Sequence, residues 1–341
     1  MRTEDFNYNL PAELIAQVPL EDRTASKLLV VDRSTSTKVD KHFYDILDYL
    51  SEGDCLVLNN SKVLPARIFG FKEQTNAKIE FLLHKQIKLN TWEVMARPVK
   101  RLKIGTIVKF NEELSAKVLW KKEDGLIDVE FTYEGNFFEI LHNIGNMPLP
   151  PYIREKLNDP DRYQTVYAKD LGSSAAPTAG LHFTQDLLEK VKNKGVSVQY
   201  VTLHVGLGTF LPVSVDNVNE HKMHSEYYEI TKECVDVINK TKENGKKVVA
   251  VGTTTVRTLE SVAQNNNGSL VAESGNTEIF IYPGFEFKVV DSLVTNFHLP
   301  KSTLLMLISA FYDKANIISA YEYAVEHNYR FFSFGDAMLL V

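Results

Sequence analysis

Four histidines stand in surroundings that suit proton transfer: His182, His204, His224 and His298. Imidazole is the side chain whose charge ordinarily changes near neutrality, so it serves acid–base steps without a large perturbation. His182 closes a long run of small residues, Ser173-Ser174-Ala175-Ala176-Pro177-Thr178-Ala179-Gly180-Leu181, which reads as a shaped loop beside a pocket. His204 opens His204-Val205-Gly206-Leu207-Gly208-Thr209-Phe210 at the end of an apolar strand. Its glycines let a ligand approach the backbone, but the third glycine of a dinucleotide fingerprint is missing, and a tight turn is the simpler account of this motif alone. His298 lies in Thr295-Asn296-Phe297-His298-Leu299-Pro300-Lys301-Ser302-Thr303, where Asn296, His298 and Lys301 are expected to converge just before a buried helix.

Two further groups carry charge. Val251-Gly252-Thr253-Thr254-Thr255-Val256-Arg257 runs from an apolar strand into glycine, three threonines and a helix. Free N–H groups and hydroxyls at a helix start bind anions or polar ligand atoms, and Arg257 lies one turn in; a plain threonine cap fits equally well. His221-Lys222-Met223-His224-Ser225-Glu226 places two histidines three residues apart. With Glu226 or His204 they would make a three-ligand zinc site. No H-E-x-x-H pattern or thiolate pair supports it, so no metal is expected. Cys55 and Cys234 are far apart and suit a reducing compartment.

The elements that must position these groups change texture twice. Lys27–Asp32 and Asp54–Asn59 read as buried strands, with helix-like Phe43–Leu50 between them. From Pro65 to Tyr133 come six short alternating segments without helices: Ala66–Phe71, Ala77–His84, Thr91–Arg97, Thr106–Phe110, Leu114–Trp120 and Leu126–Tyr133. Such a run suggests a small barrel or sandwich. Beyond Met147-Pro148-Leu149-Pro150-Pro151, strands and helices alternate: helix Thr184–Lys194, strand Val196–Val205, helix Thr231–Asn244, strand Lys247–Val251, helix Thr253–Ala263. Alternation implies mostly parallel strands covered by helices. The expected architecture is α/β, a mixed or mostly parallel sheet domain in two sequence pieces (1–60 with 150–341), with an inserted all-β domain, a small barrel, at 61–149.

At 341 residues, 44% apolar and 24% charged, the chain has the make-up of a globular protein, and its length favours two domains. The formal charge of −6 argues mildly against nucleic acid. Its distribution says more: Ser61–Leu149 holds 14 Lys/Arg against 11 Asp/Glu, and the remainder 24 against 33. Arg97, Lys100, Arg101, Lys103 and Lys109 fall in thirteen residues without an acid. The stretch reads as a solvated surface or as an edge that tracks phosphates. Met1–Pro11 lacks the apolar stretch of a signal peptide, and the strongest apolar run, Leu304–Ile308, is too short to span a bilayer. No membrane partner and a cytoplasmic location are expected.

Taken together and in order, these segments resemble the S-adenosylmethionine:tRNA ribosyltransferase-isomerase family of queuosine biosynthesis. The resemblance runs through DFNYNLPAELIAQVP, LNNSKVLPARIFG, PLPPYIR, DRYQTVYA, AAPTAGLHFT, VTLHVGLGTFLPV, HKMHSE, VGTTTVRTLES, TNFHLPKSTLLMLISAF and YRFFSFGDAMLL. Departures are small: Asn59-Asn60-Ser61 where the family more often reads NDT, and Leu207 where alanine is usual. The resemblance implies an α/β domain with an inserted barrel. It also implies that the ribosyl unit of S-adenosylmethionine, a co-substrate rather than a cofactor, is transferred and isomerised onto 7-aminomethyl-7-deazaguanine at the wobble position of tRNA with a G-U-N anticodon. Epoxyqueuosine-tRNA, adenine and methionine are the implied products, and the protein is expected to be a monomer or weak homo-oligomer.

On that resemblance, His182, His204, His224, Glu226 and His298 become the expected catalytic groups, at least two of the histidines acting with Glu226 in proton transfer. Thr253, Thr254 and Arg257 are expected to hold polar atoms of S-adenosylmethionine, its carboxylate among them. Tyr152, Tyr163 and Gln164 would stack on and read a splayed-out base. Arg154, Pro177, Thr178, Gly206, Gly208, Thr209, Asn296 and Lys301 complete the expected substrate contacts. Arg97, Lys100, Arg101 and Lys103 would contact tRNA phosphates. The rival readings are a small-molecule S-adenosylmethionine enzyme, an RNA-binding module without chemistry, and a zinc hydrolase on His221, His224 and Glu226.

Overall fold

The structure, a computed structural model, describes all residues except 123, 124, 156, 207–212 and 214. The chain divides into two units, Met1–Lys62 with Pro151–Asp170 and Ala176–Val341, and Val63–Pro150 with Leu171–Ala175.

The strands, in chain order, begin with β1 (Lys27–Val31), β2 (Lys38–His42) and β3 (Cys55–Asn59). The second unit supplies β5 (Arg67–Lys72), β6 (Lys78–Lys88), β7 (Thr91–Arg97), β8 (Ile107–Lys109), β9 (Leu114–Lys121) and β10 (Leu126–Tyr133), while the short strands β4 (Ser61–Val63) and β11 (Asp170–Ser173) lie outside both large sheets. Then follow β12 (Ser197–Leu203), β13 (Glu226–Ile230), β14 (Val248–Val251), β15 (Glu273–Thr277), β16 (Ser292–Asn296) and β17 (Ala337–Leu340). The helices are α1 (Phe137–Ile144), α2 (Gln185–Asn193), α3 (Lys232–Glu243), α4 (Thr253–Asn265), α5 (Thr303–Phe311) and α6 (Lys314–Glu326).

The first unit is built on a nine-stranded sheet in the order β15-β13-β12-β3-β14-β16-β17-β1-β2. Its centre, β12-β3-β14-β16, is parallel. β17 runs antiparallel to β16, and β1 parallel to β17. Strands β3, β14 and β16 are buried along their whole length, which is why they read as unbroken apolar runs rather than alternating ones. On one face Leu56, Leu58, Val249, Val251 and Val294 pack with Leu187, Leu188 and Val191 of α2 and with Phe43 and Ile46. The alternate residues, Val57, Ala250 and Leu293 among them, are buried on the other face, against which α3 and α4 pack. The segment expected as a helix at 43–50 is a 3-10 helix, Phe43–Tyr49. Short connectors commonly close i→i+3 bonds, as the Leu50 N–H does here on the Leu47 carbonyl.

The second unit is a closed barrel, β10-β7-β6-β5-β8-β9, with every pairing antiparallel. Alternation along each strand sends Ile68, Phe81, Val94, Val118, Val129 and Phe131 inward, and Phe137, Ile140 and Leu141 of α1 pack against them. Among the described residues, no helix is long and apolar enough to cross a membrane.

Candidate active site

Most of the expected groups in the first unit gather at one edge of its sheet. The carboxyl ends of β3, β12, β14 and β16 point to that edge, and so do the amino ends of β1 and β17. Open α/β sheets bind ligands outside the carboxyl ends of their strands.

His182 is buried there, in the 3-10 turn Thr178–His182. Asn296 Nδ2 lies 3.0 Å from its Nε2, and Ser26 Oγ 2.7 Å from its Nδ1. The Asn296 carbonyl oxygen accepts from Thr178 Oγ1 at 2.9 Å, which fixes the amide so that its nitrogen donates to Nε2. The proton of the neutral ring then sits on Nδ1 and is given to Ser26 Oγ, which donates onward to the Arg23 carbonyl at 3.2 Å. Phe43 stacks on the ring at 4.8 Å. Burial, aided by Arg330 and Arg23, pushes the pKa down to about 3. His182 is therefore a neutral imidazole with both nitrogens engaged.

His298 is equally buried, and burial brings its pKa down to about 3. Its Nε2 is 2.8 Å from Thr295 Oγ1, its N–H donates to Tyr321 Oη, and its carbonyl accepts from Tyr8 Oη. Lys301 turns away, with φ +59° and its ammonium 2.5 Å from Glu4. Asn296, His298 and Lys301 thus do not converge as their spacing suggested. The side chains leave the chain in three directions because the strand ends inside the segment.

Glu226 opens β13 and Arg257 stands one turn into α4; the two form a buried ion pair, Glu226 Oε2 with Arg257 Nη1. Glu226 Oε1 also accepts the Gly206 N–H at 2.8 Å. Arg257 is only 4% exposed, yet its Nε and Nη2 have no acceptor among the described residues. The Thr254 hydroxyl is likewise buried and has no partner among the described residues. Gly252, at φ +86°, turns the chain from β14 into α4 and, as the N-cap, has no side chain to cap the helix. Among the described residues, amide N–H groups, a hydroxyl and half a guanidinium are thus left without partners, as an oxyanion site requires. Thr253 is buried at the same helix start.

His204, beyond the end of β12, stacks on Tyr227 at 5.6 Å, and its Nδ1 is buried without a partner among the described residues. Burial lowers its pKa, against the opposing pull of Asp170 and Glu229. Both carboxylates line a cavity of about 580 Å³ with Asn60, Tyr167, Tyr200 and Thr202. Asp170 Oδ2 is fixed by Asn60 Nδ2 at 2.7 Å, and Tyr167 packs on Tyr200 at 5.5 Å. Sequence reasoning missed this cavity because its walls come from four separate segments. Its local signal was the alternation of Tyr200 and Thr202, which places them on one face of β12.

His224 is exposed, and His221 lies edge-on to Phe280 at 5.2 Å. Among the described residues no three His, Cys, Asp or Glu side chains gather as a metal site. Tyr152 gives a 2.7 Å bond with Ser333 Oγ and packs on Phe332, and Arg154 is exposed. Tyr163 is fully buried, edge-on to Phe334, so it offers no free face for stacking on a base. Gln164 is buried, and its carbonyl accepts from Arg23. Pro177 leads into the turn that carries Thr178 and His182. Gly208 and Thr209 lie outside the described residues. In the barrel unit, Arg97, Lys100, Arg101 and Lys103 are all exposed.

A model of a family described as queuosine biosynthesis protein matches residues 3–340. The chain is also similar to the crystal structure of S-adenosylmethionine tRNA ribosyltransferase from Thermotoga maritima. The two are 41% identical, the match covers 99% of this chain and 100% of that one, and the TM-score is 0.56.

Proposed function

The chain belongs to the queuosine biosynthesis protein family, and on that premise we propose that it is an S-adenosylmethionine:tRNA ribosyltransferase-isomerase. The ribosyl unit of S-adenosylmethionine goes to the aminomethyl nitrogen of 7-aminomethyl-7-deazaguanine at the wobble position. It is rearranged to an epoxycyclopentane, and adenine and methionine leave.

The observation that carries this reading is the half-used guanidinium of Arg257. Its pairing with Glu226 fixes one arm, and Nε and Nη2 face no acceptor among the described residues. A carboxylate such as that of the methionine moiety fits the free edge bidentately, with Thr254 and the first N–H groups of α4 beside it. The 7-aminomethyl group is a cation until it loses a proton, and the cavity with Asp170 and Glu229 on its wall and Tyr167 and Tyr200 as ring surfaces suits it. His204 has a nitrogen without a partner among the described residues, and burial keeps its ring neutral, so it is the histidine we assign to accept a proton. His182, engaged at both ring nitrogens, and His298, engaged at Nε2 and through its backbone, hold the scaffold in this reading. On the barrel unit, Arg97, Lys100, Arg101 and Lys103 take tRNA phosphates.

The test is direct. Purified protein is incubated with S-adenosylmethionine and tRNA carrying 7-aminomethyl-7-deazaguanine; digested tRNA is searched for epoxyqueuosine by mass spectrometry, and adenine is followed in solution. Both products are expected. Folded protein that yields neither would overturn the reading.

A further inference from the structure

Arg23, Arg162 and Arg330 meet around a small recess of about 20 Å³, which Ser26, His182 and Gly335 help to line. The arginines come from three distant segments, and among the described residues the ion pair they make is a long one, from Arg330 to Asp336. Arg23 donates to the carbonyls of Gln164 (3.0 Å), Leu181 (3.1 Å) and Asp161 (3.3 Å). Arg162 Nη2 donates to the Leu20 carbonyl at 2.6 Å, while its Nε is buried with no acceptor among the described residues. Arg330 donates to the Val18 carbonyl at 3.3 Å. The carboxylate nearest to it, Asp336, stands 3.9 Å from its Nε and already accepts the backbone N–H groups of Lys27 and Arg330.

Carbonyls orient a guanidinium but bring no countercharge. Burial lowers the pKa of Arg23, and the like charge of Arg162 lowers it further against the opposing pull of Asp159; burial likewise lowers that of His182, aided by Arg330 and Arg23. His182, fixed as a neutral ring, supplies no charge of either sign. Gly335 belongs to the device too, since a Cβ there would come within 2.4 Å of the Arg330 carbonyl, so the turn that presents Arg330 tolerates no side chain.

We infer that this recess binds one phosphate group of an RNA backbone. The inference rests on the function proposed above and adds to it a contact in the catalytic unit. The opening is too small for a nucleobase or nucleoside, but it admits one or two oxygens of an oxyanion while the rest face solvent. Arginine forks suit phosphate, and a base splayed into a pocket leaves its flanking phosphates to be held in place. The same oxyanion chemistry would accept the carboxylate of S-adenosylmethionine, and the experiment separates the two sources.

Full-length Arg162→Gln, Arg330→Gln and Arg162→Lys are compared with the unaltered protein, after thermal melting shows each to be folded. Binding of an anticodon stem–loop RNA is measured over a series of KCl concentrations, and S-adenosylmethionine binding is measured separately by calorimetry. Each Gln variant is expected to raise the RNA Kd about 3–10-fold and to reduce the slope of log Kd against log salt by about 0.7–0.9, as for one lost phosphate contact. S-adenosylmethionine affinity should stay unchanged, and Arg162→Lys should retain most of the slope. Unaltered RNA affinity and slope would overturn the inference. So would weakened S-adenosylmethionine binding with RNA binding intact, which assigns the recess to the carboxylate. In either case an unaltered protein that still forms epoxyqueuosine leaves the proposed function standing; one that neither binds RNA nor releases adenine removes both.

Discussion

His182 and His298 lie on opposite faces of the same sheet. Asn296 holds the first and Thr295 the second, and neighbouring residues of β16 point to opposite sides. Val294 packs in the layer with α2, so Asn296, two residues on, shares that face, and Thr295 takes the other. Tyr321 of α6 binds His298 there. Two histidines that look interchangeable in the sequence therefore serve separate layers.

Their mutations should be independent. His182→Gln and His298→Gln are expected to be additive in stability to within about 0.5 kcal/mol, because the two rings share no side-chain partner. His182→Gln with Asn296→Ala should instead couple by about 0.5–3 kcal/mol, since those residues touch. Urea unfolding of the two double-mutant cycles measures both.

Stability should fall as the solution is acidified. His182 and His298 have folded pKa values near 3, against about 6.5 in the unfolded chain. Between those values the unfolded state binds more protons, so stability rises with pH. The contribution is fully present above about pH 6.5 and is lost as pH falls toward 3, by up to about 1.4 kcal/mol per pH unit for each ring. Urea midpoints at pH 7 and pH 5 should show a larger loss for the unaltered protein than for His298→Gln. An equal loss would mean that the ring titrates normally in the fold.

Breaking the Glu226–Arg257 pair from one side should be costly. Glu226→Gln leaves a buried guanidinium without its countercharge, and a loss of about 3–5 kcal/mol is expected. S-adenosylmethionine at one hundred times its Kd should stabilise the unaltered protein by about 2.7 kcal/mol. It should add almost nothing to Arg257→Gln. A full ligand-induced shift in that variant would place the carboxylate elsewhere.

Reversing charge on the barrel should act through salt. Lys100→Glu, Arg101→Glu and Lys103→Glu sit on exposed positions, so folding should be little changed. Combined, they are expected to weaken tRNA binding and flatten its dependence on KCl. Gel-shift titrations at two salt concentrations would reveal it, and equal affinities would remove these residues from the interface.

The sequence by itself determined whatever depends on neighbours a few residues apart. Thr91–Arg97 and Leu126–Tyr133 are strands with the limits their alternation implies. Thr184, Thr231 and Ser302 cap α2, α3 and α5, because a hydroxyl just before a helix accepts the free N–H three residues on. The run of donors at Gly252-Thr253-Thr254 was legible for the same reason, since they are consecutive, but it fitted an anion site and a plain threonine cap equally well. What only the tertiary structure decided depends on register and on which face a side chain takes. Nothing near Lys301 announces Glu4, and nothing near Arg162 announces Arg23 and Arg330. The split of Thr295 and Asn296 between two layers needed the pairing of β16 with β14 and β17. Local periodicity fixes an element's own geometry, but a strand shifted by one residue exchanges its faces, and only packing of the whole sheet selects the register.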